Sequence, residues 1–269
     1  MQGRQALLEV RKGGEMGSHE NRTVLVTGAA RGIGFAIAEA FAAQDAKVAL
    51  VDLEKEDVTT AAGKLAAAGT TAIGLAGDVG DFEAMREAVT EIEGALGPVD
   101  ILVNNAGISP KHEGRRHEVW EMDPEEWRRV LDVNLTGCFN LTRLVTPGMK
   151  QRGRGSIVNM ASVAGKSYCD FVGVHYSTTK AGVIGFTRHL AGELGPYGIT
   201  VNAIAPGRID TPLMRGVNPA VNEAIAGETA LRRLGQPSEV ADMALFLTSD
   251  QARFVTGQTV DVAGGWLMT

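Results

Sequence analysis

From Thr23 onward, short apolar runs rich in β-branched residues alternate with longer stretches whose apolar positions recur at helical spacing. The runs Val24–Thr27, Lys47–Asp52, Thr71–Ala76, Val99–Val103, Ser156–Ala161, Ile199–Ile204 and Thr259–Val262 predict seven strands. Most are almost continuously apolar, as strands covered on both faces are. Helices are predicted near 32–44, 54–68, 81–95, 124–150, 176–194 and 237–249. Strands and helices alternating at this length predict a single α/β domain, a doubly wound parallel sheet with helices on both faces. The longest irregular segments fall near 106–123, 163–175 and 206–236, and no linker or tandem repeat divides the chain.

Residues 1–20 break this pattern. They are polar, carry Gly13, Gly14 and Gly17, and hold no apolar stretch longer than Ala6-Leu7-Leu8. They lack the apolar core of a signal peptide. The expectation is a flexible extension over 1–20, or upstream sequence if Met16 is the natural start, followed by the domain over 21–269. Composition is ordinary for a soluble protein, with 44% hydrophobic and 22% charged residues. A net charge of −6 argues against a nucleic-acid or anionic-membrane partner. No apolar run approaches the roughly 20 residues that span a bilayer. Cys138 and Cys169 form no metal or redox spacing and suit a reducing, cytoplasmic setting. No metal-ligand cluster stands out.

The residues with chemical potential fall in one place. Gly28 follows the first predicted strand, Asp52 ends the second and Asp78 follows the third. Asn104 follows the fourth, Ser162 the fifth and Pro206 the sixth. All lie at carboxyl ends of strands, the edge where open α/β sheets bind ligands. The first turn reads Thr27-Gly28-Ala29-Ala30-Arg31-Gly32-Ile33-Gly34. Its glycines allow a tight strand-to-helix turn, and the helix start offers free N–H groups and a positive dipole end to phosphates. The spacing is not G-x-G-x-x-G, so that fingerprint does not apply directly. Asp52 stands where an acid can bind ribose hydroxyls and repel a 2′-phosphate, which favours NAD over NADP. Arg31 pulls the other way, because a guanidinium there can accept a phosphate. Asp78-Val79 is expected beside an adenine ring, and Asn104-Asn105-Ala106-Gly107 leaves room for a cofactor.

Tyr176 and Lys180 stand four residues apart in a predicted helix, on one face. A free phenol, with a pKa of roughly 10, is a poor base at neutral pH. A nearby cation favours the phenolate, and such a pair can exchange a proton with a substrate. Upstream, Trp127, Val130, Leu131, Cys138, Leu141 and Val145 trace an apolar helical stripe that includes Asn134. A buried amide needs partners, which a water chain or a structural network would supply.

Thr27–Gly34, Asn104–Gly107, Asn134, Ser162, Tyr176-x-x-x-Lys180 and Pro206-Gly207 together resemble the short-chain dehydrogenase/reductase family, over about residues 21–267. The chain looks most like the broad group that includes 3-oxoacyl-acyl-carrier-protein reductases. The resemblance implies a Rossmann-type fold and a nicotinamide-dependent oxidoreductase acting on a secondary alcohol or ketone. It implies Tyr176 as acid/base, Lys180 on the nicotinamide ribose, and Ser162 bonding the substrate oxygen. Asn134 would hold a water linking Lys180 to solvent, and Thr211 would contact the nicotinamide amide. The cofactor set would comprise Gly28, Arg31, Gly32, Ile33, Gly34, Asp52, Asp78, Val79, Asn105, Ala106, Gly107, Tyr176, Lys180, Pro206, Gly207, Ile209 and Thr211. It also suggests a homotetramer, which a monomer in light scattering would refute.

The substrate is less legible. His175 either lines the pocket or packs beside it. The segment near 207–234 reads as a mobile lid, with Leu213, Met214, Val217 and Ile225 facing a partly apolar pocket. Lys111, His112, Arg115, Arg116 and His117 either favour an acidic substrate or form a solvated loop. Lys150, Arg152 and Arg154 either dock an acidic carrier protein or are plain surface. Two rivals therefore stand beside an NAD-dependent dehydrogenase: an NADPH-dependent 3-oxoacyl-acyl-carrier-protein reductase, and a non-catalytic nicotinamide sensor.

Overall fold

The structure, a computed structural model, describes residues 19–211 and 219–268. Seven strands form one parallel sheet: β1 (Thr23–Thr27), β2 (Lys47–Asp52), β3 (Ala72–Ala76), β4 (Val99–Asn104), β5 (Gly155–Met160), β6 (Ile199–Pro206) and β7 (Thr259–Val262). Their order is β3-β2-β1-β4-β5-β6-β7, so successive crossovers run one way from β1 and the other way from β4. This is the doubly wound, Rossmann-type arrangement, and the reversal opens a crevice at the carboxyl edge between β1 and β4.

Strand periodicity divides the core into two layers. In β1, Val24 and Val26 face one layer and Leu25 the other; in β4, Ile101 and Val103 oppose Leu102. The first layer is closed by α1 (Gly32–Ala42), α2 (Lys55–Ala67) and α8 (Pro237–Thr248), through Ile37, Phe41, Val58, Leu65, Val240 and Leu245. The second is closed by α3 (Phe82–Leu96), α5 (Gly137–Arg152) and α6 (Val174–Leu194), through Met85, Ile92, Leu141, Val145, Ala191 and Leu194. Helix ends follow local chemistry. Asp81 caps α3 by accepting from Glu83 N at 2.9 Å and Ala84 N at 3.0 Å. Gly153 ends α5 in the left-handed region.

Three features depart from the sequence pattern. The helix expected over 124–150 is two helices, α4 (Pro124–Leu131) and α5, joined by a π-turn at Asp132–Thr136 that carries Asn134. The extra residue falls within one turn, and Val130, Asn134, Cys138, Leu141 and Val145 all stay buried, so the apolar pattern does not reveal it. The irregular segment 206–236 contains a helix, α7 (Pro219–Glu228). His19, assigned to the extension, is buried: its Nε2 lies 3.0 Å from Thr248 Oγ1 and its ring meets Phe41 edge-on at 5.0 Å. No helix among the described residues is long and apolar enough to cross a membrane.

Candidate active site

At the crevice, the turn after β1 is built by close approach. Gly28 and Gly32 have φ of +62° and +60°. A Cβ on Gly28 would lie 2.8 Å from Ala106 Cα, and one on Gly34 would lie 2.5 Å from Asn105 Nδ2 and inside contact with Gly28 O. Asn105 ties the two loops together, its Nδ2 donating to Thr27 O at 2.9 Å and Gly28 O at 3.0 Å. Thr27 Oγ1 accepts from Asn105 N at 3.1 Å and Ala106 N at 3.0 Å. Thr27, which opens the glycine turn, is thus a positioning residue, a role that its place in the motif does not reveal. No side chain caps α1 and its first turn has no acid, which leaves a donor set suited to an anion such as phosphate. Ile33, in that turn, packs half-buried on the core.

Asp52 reaches this turn: Oδ2 accepts from Ala30 N at 2.9 Å and Oδ1 from Leu53 N at 2.8 Å. Arg31 is exposed and turned outward, 3.9 Å from Asp57. Asp78 is engaged at both oxygens, by Gly80 N at 2.9 Å and Arg129 at 2.6 Å. Val79 is buried, and its carbonyl accepts from Asn140 Nδ2 at 2.9 Å. Asn104 turns inward rather than to the crevice. It bonds its register neighbour Asn159 at 2.8 Å, and Asn159 bonds Thr187 at 3.0 Å. On the far side, Pro206 ends β6 and Gly207 N donates to Val262 O at 3.0 Å. Ile209 is buried and bridges to Gly235, while Thr211 lies 3.7 Å from the Cβ position of Gly32. Leu213 and Met214 lie outside the described residues, as does Val217.

The proton-handling group assembles beside Gly107. A Cβ there would lie 3.4 Å from both Asn134 Oδ1 and Lys180 Nζ. Lys180 is buried, donates to Met160 O at 2.7 Å, and sits 5.5 Å from the centre of the Tyr176 ring. Ser162 Oγ accepts from Ala164 N at 3.2 Å, so its own hydrogen is left for another acceptor. Asn134 is fastened through both side-chain atoms. Its Oδ1 accepts from Ile108 N at 2.8 Å, and its Nδ2 donates to Ile108 O at 2.9 Å and Thr179 Oγ1 at 3.2 Å. The side chain is largely spent fastening the loop after β4 to α6. One Oδ1 lone pair and the main-chain carbonyl, which accepts from Cys138 Sγ at 3.3 Å, are what it still offers a water.

His175 is buried beneath Tyr176, whose N–H donates to His175 Nδ1 at 2.6 Å. Its Nε2 meets Glu126 Oε1 at 2.9 Å, and His112 Nε2 meets Glu126 Oε2 at 2.5 Å. Burial alone would raise the Glu126 carboxyl, but hydrogen bonds from His175 and His112 outweigh it and hold the group below the usual range. Glu126 gave no signal in sequence, because its partners lie far along the chain. His112 also stacks on His117 at 3.4 Å. His112, His117 and Glu126 thus bring three metal-capable ligand atoms within 4.8 Å of one another, where the sequence suggested no such cluster. The two thiols are inert: burial pushes Cys138 up to about 11, and burial and then Asp170 raise Cys169.

Comparison with known proteins fits this geometry. The family described as enoyl-(acyl carrier protein) reductase matches residues 28–267. An acetoacetyl-CoA reductase of Shinella zoogloeoides is 42% identical over 246 residues, 91% of this chain and 98% of that protein. A crystal structure of a 3-oxoacyl-acyl-carrier-protein reductase from Brucella melitensis superposes with a TM-score of 0.91 at 56% identity, covering 94% of this chain and 93% of the other. One of the same description and organism with bound NAD gives 0.89 at 55%, with the same coverage. On fold, motif order and these likenesses, the chain belongs to the short-chain dehydrogenase/reductase family of oxidoreductases, which act on carbonyl and hydroxyl groups.

Proposed function

We propose that the protein is an NAD-dependent oxidoreductase that interconverts a secondary alcohol and its ketone, with Tyr176 as the acid/base. The observation that carries this reading is Lys180 Nζ, held beside Gly107 and 5.5 Å from the Tyr176 ring at the carboxyl edge, where Ser162 follows β5. The backbone cradle fits a dinucleotide: Gly28 and Gly34 leave no room for a side chain, Gly32 takes a positive φ, and the start of α1 is uncapped. Its pyrophosphate would lie on that turn, its ribose hydroxyls against Asp52, and its nicotinamide near Lys180 and Thr211. Asp52 is tied to the turn while Arg31 faces Asp57, which supports NAD over NADP. A Brucella relative with bound NAD supports it too.

When bound, the nicotinamide supplies the hydride acceptor or donor. Tyr176 takes the hydroxyl proton as the carbinol hydride leaves, and returns a proton to the carbonyl oxygen in reduction. Ser162 donates its free hydrogen to that oxygen and steadies its developing charge. Lys180 keeps a cation beside the phenol, anchored by Met160 O. Asn134 is a positioning residue that holds the loop carrying Ile108 against α6.

The relatives' names favour a second reading, reduction of a 3-oxoacyl group on coenzyme A or a carrier protein. The basic run Lys150, Arg152 and Arg154 does not support carrier docking at this site. Arg152 bonds Val99 O at 2.5 Å, Arg154 lies 3.6 Å from Asp100, and Lys150 lies over Tyr197 at 4.1 Å. Arg152 and Arg154 thus meet the start of β4, the amino edge of the sheet opposite the crevice.

Tyr176→Phe tests the main reading. The expected variant keeps the thermal stabilisation by NAD, about 2.7 kcal/mol at 100 times Kd, and loses roughly 10²- to 10⁴-fold in turnover. Near-normal turnover would remove Tyr176 from the chemistry. Greater stabilisation of the wild type by NADP than by NAD would overturn the cofactor assignment.

A further inference from the structure

Lys111, Phe171 and Arg208 come from three different segments, and each segment also carries candidate site residues. Lys111 follows Gly107 by four positions, Phe171 precedes Tyr176 by five, and Arg208 sits between Gly207 and Ile209. In the structure they meet. Lys111 Nζ lies over the Phe171 ring at 6.0 Å, and the Arg208 guanidinium carbon lies over the same ring at 5.0 Å. Phe171 stacks on Trp266 at 5.8 Å and shares an apolar cluster with Val163, Ala164 and Tyr176. Two cations therefore flank an aromatic wall next to the residues that follow Ser162 and to Tyr176 itself.

Their partners are neutral. Lys111 Nζ donates to Phe171 O, and Arg208 donates through Nε and Nη2 to Asn222 Oδ1 at 3.2 and 3.0 Å. Neither forms an ion pair with an acid among the described residues. Other arginines of the Lys111 loop do: Arg115 meets Glu121 at 2.7 Å and Arg116 meets Glu118 at 2.6 Å. Placing two like charges together without an acid is unfavourable, and Arg208 is half-buried as well. Burial, then Arg208 and Arg116, pull the Lys111 ammonium below its ordinary value, and burial does the same to Arg208. Donors remain to receive an anion: two hydrogens on Lys111 and the Nη1 group of Arg208.

We propose that Lys111 and Arg208 form an anion subsite that selects substrates carrying a carboxylate close to the reacting carbon, that is, hydroxy acids and their oxo acids. The proposal rests on the alcohol–ketone reading above and narrows its substrate class. A guanidinium edge with an adjacent ammonium matches the paired oxygens of a carboxylate. Phe171 and Tyr176 pack on the same small cluster of Val163, Ala164 and Cys169, which puts the carboxylate on the side of the site that holds the carbinol. A phosphate at the end of a long pantetheine arm would reach past this wall.

The test pairs straight-chain 2- and 3-hydroxy acids with their methyl esters, read by turnover and by binding to the NAD-loaded protein. Binding is followed by thermal shift and calorimetry. The expected result is a preference for the acid over its ester of at least about tenfold in kcat/KM. Arg208→Gln and Lys111→Gln should each lower kcat/KM for the acid by about 10- to 100-fold while leaving the ester unchanged, since a hydrogen bond to a charged group is worth about 1.5–3 kcal/mol. Equal handling of acid and ester by the wild type would overturn the subsite and leave the oxidoreductase reading standing. So would an equal loss for acid and ester in both variants, which would make the cations a loop fastening only. Carboxylate-specific binding that Arg208→Gln removes, without turnover of any alcohol, would uphold the subsite and sink the oxidoreductase reading. If Arg208→Gln weakens only a 3-oxoacyl-coenzyme A thioester, and free acids neither bind nor react, the anion is a phosphate and the carboxylate assignment fails.

Discussion

Between β1 and β4 the candidate site is made of backbone; between the loops 106–123 and 163–175 it is made of side chains. On the first side, positive φ at Gly28 and Gly32 and the missing Cβ of Gly34 create the space, and Asn105 and Asp52 bond main-chain atoms to keep it. On the second side, Lys111, His112, Glu126, Phe171, His175 and Arg208 meet across loops, through their own polar and aromatic groups. The difference separates two tasks. A rigid cradle fixes the position of a shared cofactor, while a set of exchangeable side chains decides what is presented to it. Variants on the first side should damage fold and cofactor binding together. Variants on the second should change rate and selectivity in a protein that still folds.

The largest effect is expected at Gly34. A methyl group there would press on Gly28 O and lie 2.5 Å from Asn105 Nδ2, in the two loops that Asn105 bonds together. Gly34→Ala should lose about 3 kcal/mol or more of stability and abolish the NAD-induced thermal shift. Gly63, inside α2, has nothing within 4 Å of its Cβ position, so Gly63→Ala should be neutral or stabilising by about 0.5–1 kcal/mol. Denaturant titrations of the two variants make the contrast measurable. A Gly34→Ala protein with wild-type stability and cofactor response would show that the first side is not rigid, and the comparison would collapse.

A smaller effect is expected at Glu126, on the other side. Its two oxygens bond His175 and His112, and His175 in turn accepts from the Tyr176 main chain. Glu126→Gln offers one acceptor where there were two, so one imidazole loses its partner. Stability should fall by about 1–3 kcal/mol. NAD binding should stay as in the wild type while kcat/KM for substrate falls, because the loop after Gly107 and the start of α6 lose their common fastening. Equal damage to NAD binding and to substrate turnover would mean the two sides are one mechanical unit.

The same division explains what the sequence makes legible. Seven strands, the burial of the central ones on both faces and the glycine turn follow from apolar periodicity and from residues a few positions apart, which local chemistry decides. The Tyr176–Lys180 pair is legible for the same reason, being one helical turn. Glu126 is not, because its partners His112 and His175 lie 14 and 49 residues away and meet only when two irregular loops fold against α4. The π-turn at Asn134 is silent because it preserves the buried stripe. Strand position alone puts Asn104 at the crevice; its pairing with Asn159 depends on the register between β4 and β5, which neither strand encodes by itself. The carboxylate subsite has the same origin, since Arg208 reads locally as part of a cofactor segment and acquires its second task only where Phe171 meets it.

The smallest effect on the site comes from a pH lever on the fold that touches neither side of it. His19 is buried between Phe41 of α1 and Thr248 of α8, with Arg22 nearby. Burial first, and then the charge of Arg22, lower its pKa from 6.5 to about 4. The imidazole is therefore neutral in the folded protein across a range where the unfolded chain takes up a proton. More protons on the unfolded state make stability rise with pH. The contribution of His19 is complete above pH 6.5 and falls away as pH drops from there toward 4, by at most about 3 kcal/mol. His19→Gln keeps a polar side chain in reach of Thr248 but cannot titrate, so its denaturation midpoint should lose less than the wild type between pH 7 and 4. The affinity for NAD should be the same in both proteins at each pH, because His19 makes no contact with the crevice. Parallel stability curves would mean that His19 protonates without penalty. An NAD affinity that followed the wild-type stability curve would mean that the cradle loosens with the α1–α8 layer, which would tie cofactor binding to global stability rather than to the local turn.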